Sequence, residues 1–243
     1  MTWTPTLDDD HRQFSVHLPY RAVCGTKVDA ILGVRALDGR DELAIEEALA
    51  CEQSAARIVS IIIGRCASGP EGPVGLEGAR QLSAGDREVV LRGIYRATFA
   101  SAIVAQVACR CGEPVCFEFD LGLIAPVPEE ARTGRSVPHG ADLEAAAEGD
   151  ARALAHFGDP GMAALLDPNA ECEIALTCPA CQEDFSAWLD GFELIRRKVG
   201  DGGGIVAQVD QLASVYGWTE ADILALPRER RLRYCAFAQA RAA

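Results

Sequence analysis

The chain has 243 residues, 49% of them hydrophobic, and its 36 acidic against 23 basic side chains leave a formal net charge of −13. That size and apolar content suffice for a sizeable core and exclude a disordered tail. The charge repels phosphate backbones and forfeits the counterion release behind non-specific nucleic-acid binding, so nucleic acid is an unlikely partner.

Met1 to Asp10 lacks the basic start and apolar core of a signal peptide, so the ten cysteines are expected as thiols in the cytoplasm rather than as disulfides. Asp8-Asp9-Asp10-His11 reads as a mobile acidic terminus. Phe14-Ser15-Val16-His17-Leu18-Pro19 alternates apolar and polar residues, the pattern of a short edge strand that Pro19 ends. Asp38-Gly39 supplies a turn, and Asp41 is placed to cap a helix through Glu42, Leu43, Ile45, Glu46 and Leu49. A second helix follows through Ala56, Ile58, Ile61 and Ile62, closed by Gly64-Arg65. Its apolar run, Ile58-Val59-Ser60-Ile61-Ile62-Ile63, is too short to cross a bilayer, so no membrane contact is expected. Ala67 to Gly78 is so rich in Gly and Pro that it predicts a flexible surface loop.

Ser83 with Asp86 is a helix-start signal, ahead of Val90, Leu91, Ile94, Tyr95, Thr98 and Phe99 on one face. Ile103, Ala105 and Val107 then alternate up to Cys109-Arg110-Cys111-Gly112, and Val115, Phe117, Phe119 and Leu121 alternate after it. Cys172, Ile174 and Leu176 lead likewise to Cys178-Pro179-Ala180-Cys181, with Phe185, Trp188 and Leu189 in the return strand and the start of a helix. Each cysteine pair thus sits at the tip of a hairpin. The second has the C-P-x-C form of a zinc knuckle, and the first, a C-x-C, is a looser chelate. Roughly 65 residues separate them, so Cys109, Cys111, Cys178 and Cys181 are predicted to hold one structural Zn²⁺ in a split ribbon. Cys116 and Cys172 are reserve ligands. Cys24, Cys51, Cys66 and Cys235 lack ligand spacing and are expected to pack as small apolar residues.

Between the hairpins, a Pro-rich link leads to short helical stretches around 143–147 and 151–157. Gly202-Gly203-Gly204 lacks the Lys-Ser/Thr of a phosphate loop and reads as a hinge. Val209, Leu212, Ala213 and Tyr216 form the next helix, which Gly217 stops. Thr219 is an N-cap with Asp222 at N3, and Trp218 with Ile223 forms a hydrophobic staple. Pro227 opens a final helix bearing Arg228, Arg230, Arg231 and Arg233, a patch suited to an acidic protein face or nucleic acid, or simply a solvated helix face. His17, His139 and His156 are isolated, and no HExxH, GxSxG or Walker sequence occurs, so no catalytic set is nominated.

These elements predict an α+β protein: an N-terminal α/β region (1–100), a split zinc-ribbon region (101–190) with a helical insertion (122–170), and a C-terminal helical docking module (191–243). The run Leu212-Ala213-Ser214-Val215-Tyr216-Gly217-Trp218-Thr219-Glu220-Ala221-Asp222-Ile223-Leu224-Ala225-Leu226-Pro227-Arg228-Glu229-Arg230-Arg231 resembles T4-type bacteriophage baseplate proteins and their relatives in phage-like contractile injection systems. Leu82-Ser83-Ala84-Gly85-Asp86-Arg87-Glu88, the two cysteine knuckles and Pro138-His139-Gly140-Ala141-Asp142-Leu143-Glu144 add to the resemblance, which spans Leu82 to Tyr234. The resemblance implies a non-enzymatic baseplate or hub protein, acting in the assembly of a contractile tail-like particle beside hub, tube or spike subunits. Trp218, Arg228, Arg230 and Arg231 are its expected docking residues. A rival reading is a zinc-ribbon regulator that binds nucleic acid through the Arg-rich helix. A further one is a dithiol oxidoreductase using Cys178 and Cys181.

Overall fold

A computed structural model of the chain describes residues 13–18, 22–23, 26–27, 31–124, 137–153, 167, 169–170, 172–201 and 203–242. The Asp8–His11 run, Pro19, Cys24, the Pro-rich link, His156 and Gly202 lie outside them. The architecture is α+β, with helices packed around small antiparallel sheets. Among the described residues no helix is long and apolar enough to cross a membrane.

Strand β1 (Gln13–His17) is followed by the short pair β2 (Ala22–Val23) and β3 (Thr26–Lys27), then by β4 (Ile31–Arg35), against which β1 lies antiparallel. β4 buries Leu32 and Val34 on one face. Helix α1 (Gly39–Ala50) is capped by Asp38, three residues before the expected Asp41. The Asp38 carboxylate accepts the Arg40 and Asp41 N–H groups, and Asp41, at N3, accepts the Asp38 N–H in return. Asp41 also accepts from Arg35 (2.5 Å) and Arg65 (2.8 Å). Burial works to raise its pKa, but the bonds from Arg35, the Asp38 N–H and Arg65 together hold it below the ordinary carboxylate range.

Helix α2 (Ala55–Cys66) runs through Gly64-Arg65 instead of stopping there. The stretch expected as a loop is ordered too: β5 (Ala67–Gly69) and β6 (Gly72–Pro73) form a hairpin, and α3 (Gly75–Gln81) follows. Gly72, at φ +121°, closes the Pro70-Glu71 turn, and β5 pairs with β4, giving the sheet order β1-β4-β5-β6. Composition pointed to a loop because it registers the turn residues and not the tertiary pairing that uses them. Gly64 allows this arrangement, since a Cβ there would lie 2.7 Å from the carbonyl carbon of Gly75.

Helix α4 (Ala84–Thr98) is capped by Ser83, whose Oγ accepts the Asp86 N–H at 3.1 Å. Beside the expected apolar face of Val90, Leu91, Ile94 and Tyr95, it buries Asp86, Arg87, Glu88 and Arg92. Such a helix is enclosed on all sides, and its charged residues need internal partners. Arg87 donates to Ser60 Oγ (2.9 Å), the Ala79 carbonyl (3.0 Å) and the Ala56 carbonyl (2.6 Å), and burial lowers its pKa to about 10.

Next come the hairpin β7 (Ala102–Ala108) and β8 (Pro114–Asp120), helix α5 (Gly140–Ala147), the hairpin β9 (Cys172–Thr177) and β10 (Asp184–Leu189), and helix α6 (Gly191–Gly200). The chain closes with α7 (Gly204–Tyr216), α8 (Glu220–Leu224) and α9 (Arg228–Ala242). One apolar core links Leu32, Ile62 and Ile94 with Ile103, Ile174, Leu189 and Ile195, so the bases of both hairpins and α6 share it. The terminal helices pack a separate cluster of Leu212, Ile223 and Cys235.

Candidate metal centre

Backbone turns set the cysteines. At the first tip the Cys109 N–H donates to the Glu113 carbonyl and the Gly112 N–H to the Cys109 carbonyl, each at 2.9 Å, with Gly112 at φ +90°. At the second, the Cys178 N–H donates to the Glu183 carbonyl and the Gln182 N–H to the Cys178 carbonyl, each at 2.9 Å. Gln182 takes φ +62° there, and its side-chain amide donates to the Pro179 carbonyl at 3.0 Å.

The two tips meet. All four Sγ atoms of Cys109, Cys111, Cys178 and Cys181 lie within 4.8 Å of one another, with Cys109 to Cys181 and Cys111 to Cys178 at 3.7 Å. A tetrahedral centre with metal–sulfur bonds of about 2.3 Å has sulfur–sulfur edges of about 3.8 Å, which the Cys109–Cys181 and Cys111–Cys178 edges match, with the other edges no longer than 4.8 Å. Cys109 and Cys178 are buried and pack with Val107, Val115 and Phe185, while Cys111 and Cys181 face out. The thiols differ in acidity. The N–H groups of Cys181 and Ala180 bring Cys178 down to about 7 against its burial. At Cys181 the Glu183 backbone works to lower the value, but burial and the neighbouring thiols push it up to about 12. Four adjacent thiols cannot all ionise without a cation to offset the repulsion.

The reserve ligands stand apart from this cluster. Cys116 is exposed on β8 opposite Gln106, and Cys172 is half-buried at the base of β9 opposite Leu189. Cys66 and Cys235 are buried as expected, whereas Cys51 is exposed at the end of α1.

Comparisons with protein-family models, curated proteins and solved structures found no match. The chemistry therefore rests on the donor set, and four cysteine sulfurs within 4.8 Å of one another are compatible with a metal site.

The expected arginine patch divides. Arg228 and Arg231 lie three residues apart on one face of α9, which turns inward, while Arg230 and Arg233 are exposed. Arg228 Nη1 and Arg231 Nη2 each donate to Glu42 Oε2 at 2.6 Å, and Arg231 Nε donates to Gln208 Oε1 at 2.7 Å. Arg228 also donates to the Lys198 carbonyl and lies 5.3 Å from the centre of the Phe99 ring. An internal carboxylate thus occupies the place expected of an outside acidic partner, and these two residues are corrected from docking to interior contacts.

Trp218 is half-buried. It stacks on Tyr216 at 4.8 Å, meets Tyr234 edge-on at 4.9 Å, and packs with Ile223 in the terminal cluster, as a staple does. Glu46 was missed as a contact: it accepts the Ile205 and Val206 N–H groups at the start of α7, where Gly203 and Gly204 take positive φ. Gly203 and Gly204 therefore make a seat for a carboxylate from α1. Single acidic residues on a helix carry no spacing signal that would have revealed this.

Proposed function

We propose that the four cysteines hold one structural Zn²⁺ and that the chain is a non-enzymatic structural or assembly protein of the baseplate or hub of a contractile phage tail-like particle. The observation that carries this reading is the cysteine cluster: an all-thiolate set of four leaves no open coordination position for substrate, which suits a staple rather than a catalyst. Two of the motifs behind the baseplate resemblance, Leu82 to Glu88 and Pro138 to Glu144, also meet in space. The Ala84 N–H donates to the Pro138 carbonyl (2.9 Å) and the Gly140 N–H to the Leu82 carbonyl (3.0 Å). Gly140 clears room for Arg87, and Glu144 accepts from Ser60 at 2.5 Å and Arg57 at 3.3 Å. Segments that bear a family pattern and brace one another suit a part whose shape is its function. Of the four clustered arginines behind the rival nucleic-acid reading, two, Arg230 and Arg233, stay on the surface.

The test has two arms. Metal analysis of protein purified without chelator is expected to give one zinc per chain. In cells that make the tail-like particle, the chain is expected in fractions with hub, tube or spike subunits, and Arg230→Glu/Arg233→Glu, which spares the interior, is expected to weaken that association. Failure to travel with any particle component or assembly intermediate rejects the particle reading. A gel shift at physiological salt would support the rival one.

A further inference from the structure

The strongest unassigned surface is a cleft of about 490 Å³ beside the cysteine cluster, lined by Ala108 and Arg110 on one side and Asp184, Ser186 and Trp188 on the other. Its two walls are the ends of strands whose outer edges have no strand partner among the described residues, where each hairpin is a two-stranded sheet of its own. Register decides which backbone groups face it. The Cys178 N–H bonds the Glu183 carbonyl next to the Asp184 and Thr177 pair, so Asp184 sits in a wide, non-hydrogen-bonded position. By alternation Ser186 and Trp188 do as well, and their N–H and C=O groups point away from β9. The same parity, set by the Cys109 N–H to Glu113 carbonyl bond, turns Val104, Gln106 and Ala108 outward from β8. The outward edge of β8 itself is blunted by Pro114, which has no N–H.

Side chains at the cleft favour a particular occupant. Trp188 is 59% exposed, and across the hairpin it faces Glu173, also exposed. Glu183 and Asp184 line the cleft nearer the tip, so the lining and the strand beside it carry three exposed carboxylates against one lining arginine, Arg110. An indole face beside carboxylates attracts a cation twice, through its ring quadrupole and through charge.

We propose that this cleft takes an extended, basic segment of a partner protein, which adds to the outer edge of β10 as a further strand and lays a lysine or arginine over Trp188. Main-chain pairing supplies the affinity and the acidic rim the selectivity, as in other strand-addition sites. The proposal goes beyond the tail-particle reading and survives its failure, because it requires only that the two tips stay together.

The experiment uses full-length, zinc-loaded protein and a short labelled peptide alternating valine with lysine, followed by fluorescence anisotropy. Saturable binding is expected, weakened at least about tenfold when glutamate replaces lysine or when the peptide N–H groups that face the edge are methylated, the latter losing several main-chain bonds. Ser186→Pro removes an outward N–H without costing a bond to β9 and is expected to weaken binding similarly, as is Trp188→Ala. Metal content and circular dichroism check that both variants are folded. No saturable binding to the wild type, or equal binding by the methylated peptide, overturns the proposal, and the methylation arm needs no protein variant.

Discussion

The joint between the hairpin tips and the joint between α9 and α1 both tie together segments far apart in sequence, but their chemistry differs. At the tips, four sulfurs supplied as two close pairs converge from residues 67 to 72 positions apart. At α1, the single carboxylate of Glu42 is shared by Arg228 and Arg231, 186 and 189 positions away, and all three side chains are buried. Thiolates that bind a metal add binding free energy to folding directly. A buried ion pair must first offset the cost of taking its charges out of water, and often little more than that is recovered. With the proposed metal bound the first joint therefore stabilises, while the second mainly fixes where the terminal helices sit. The difference teaches that the sequence separation a contact closes does not set the stability it contributes, since the joint that closes the longer separation is the one expected to stabilise less.

Under the proposed zinc reading, removing the metal should have the largest effect. Structural zinc supplies roughly 10–16 kcal/mol of apparent binding free energy in small zinc peptides; without it, the hairpin bases are still held by their own contacts in the main core, so the loss should be local to the tips. Chelation, or Cys178→Ser/Cys181→Ser, is expected to open amides near Cys109 and Cys178 to hydrogen exchange while α7 to α9 keep their protection. Equal, simultaneous loss in both regions would show one cooperative unit and remove the distinction between the joints.

The same contrast explains what was legible in the sequence. Cys109, Cys111, Cys178 and Cys181 were readable because chelation imposes short ligand spacing, and the hairpins because Ile103 to Val107 and Cys172 to Leu176 alternate. Ser83, Thr219 and Gly217 were readable because caps act within one turn. Glu42, Glu46 and Gln208 were not, since a contact made by one residue on each distant helix leaves no local pattern. The Ala67–Gly78 segment misled for a related reason: its glycines and prolines mark a turn, but the strand pairing around it depends on β4. Arg228 and Arg231 were half-readable. Their spacing of three puts them on one helix face, but nothing local tells whether that face meets solvent or Glu42.

A second prediction sharpens the comparison at Glu42 itself. Glu42→Gln leaves two buried guanidinium groups without a counter-charge and should cost about 3–5 kcal/mol in chemical denaturation. Replacing the whole set, as in Glu42→Leu/Arg228→Met/Arg231→Met, should recover most of that loss, since an apolar cluster avoids the desolvation cost. If the triple variant is as unstable as the single one, the ion pairs contribute net stability and the two joints are more alike than argued.

The smallest effect concerns a buried carboxylate with poorer company. Glu88 accepts the Gly191 N–H at 3.0 and 3.2 Å, linking α4 to the start of α6, and the nearest Arg92 nitrogen is 3.8 Å away. Burial raises its pKa to about 8 despite Arg92 and the Gly191 N–H, with Asp190 adding to the rise. The sign follows from proton counting. Below the unfolded value of 4.5 the side chain is protonated in both states, between 4.5 and about 8 only the folded state keeps the proton, and above that both are ionised. Rising pH therefore erodes stability across this window, by on the order of 1–3 kcal/mol once relaxation around the buried charge is allowed for. Glu88→Gln is neutral throughout and still accepts the Gly191 N–H, so it should lack this slope and be more stable than the wild type near pH 8. Denaturation of both proteins at pH 5 and pH 8 is the measurement, and subtracting one from the other cancels the pH dependence of the metal centre. Parallel curves would mean that Glu88 is already ionised in the folded protein, held by Gly191 and Arg92, and that an arginine 3.8 Å away is enough to offset its burial.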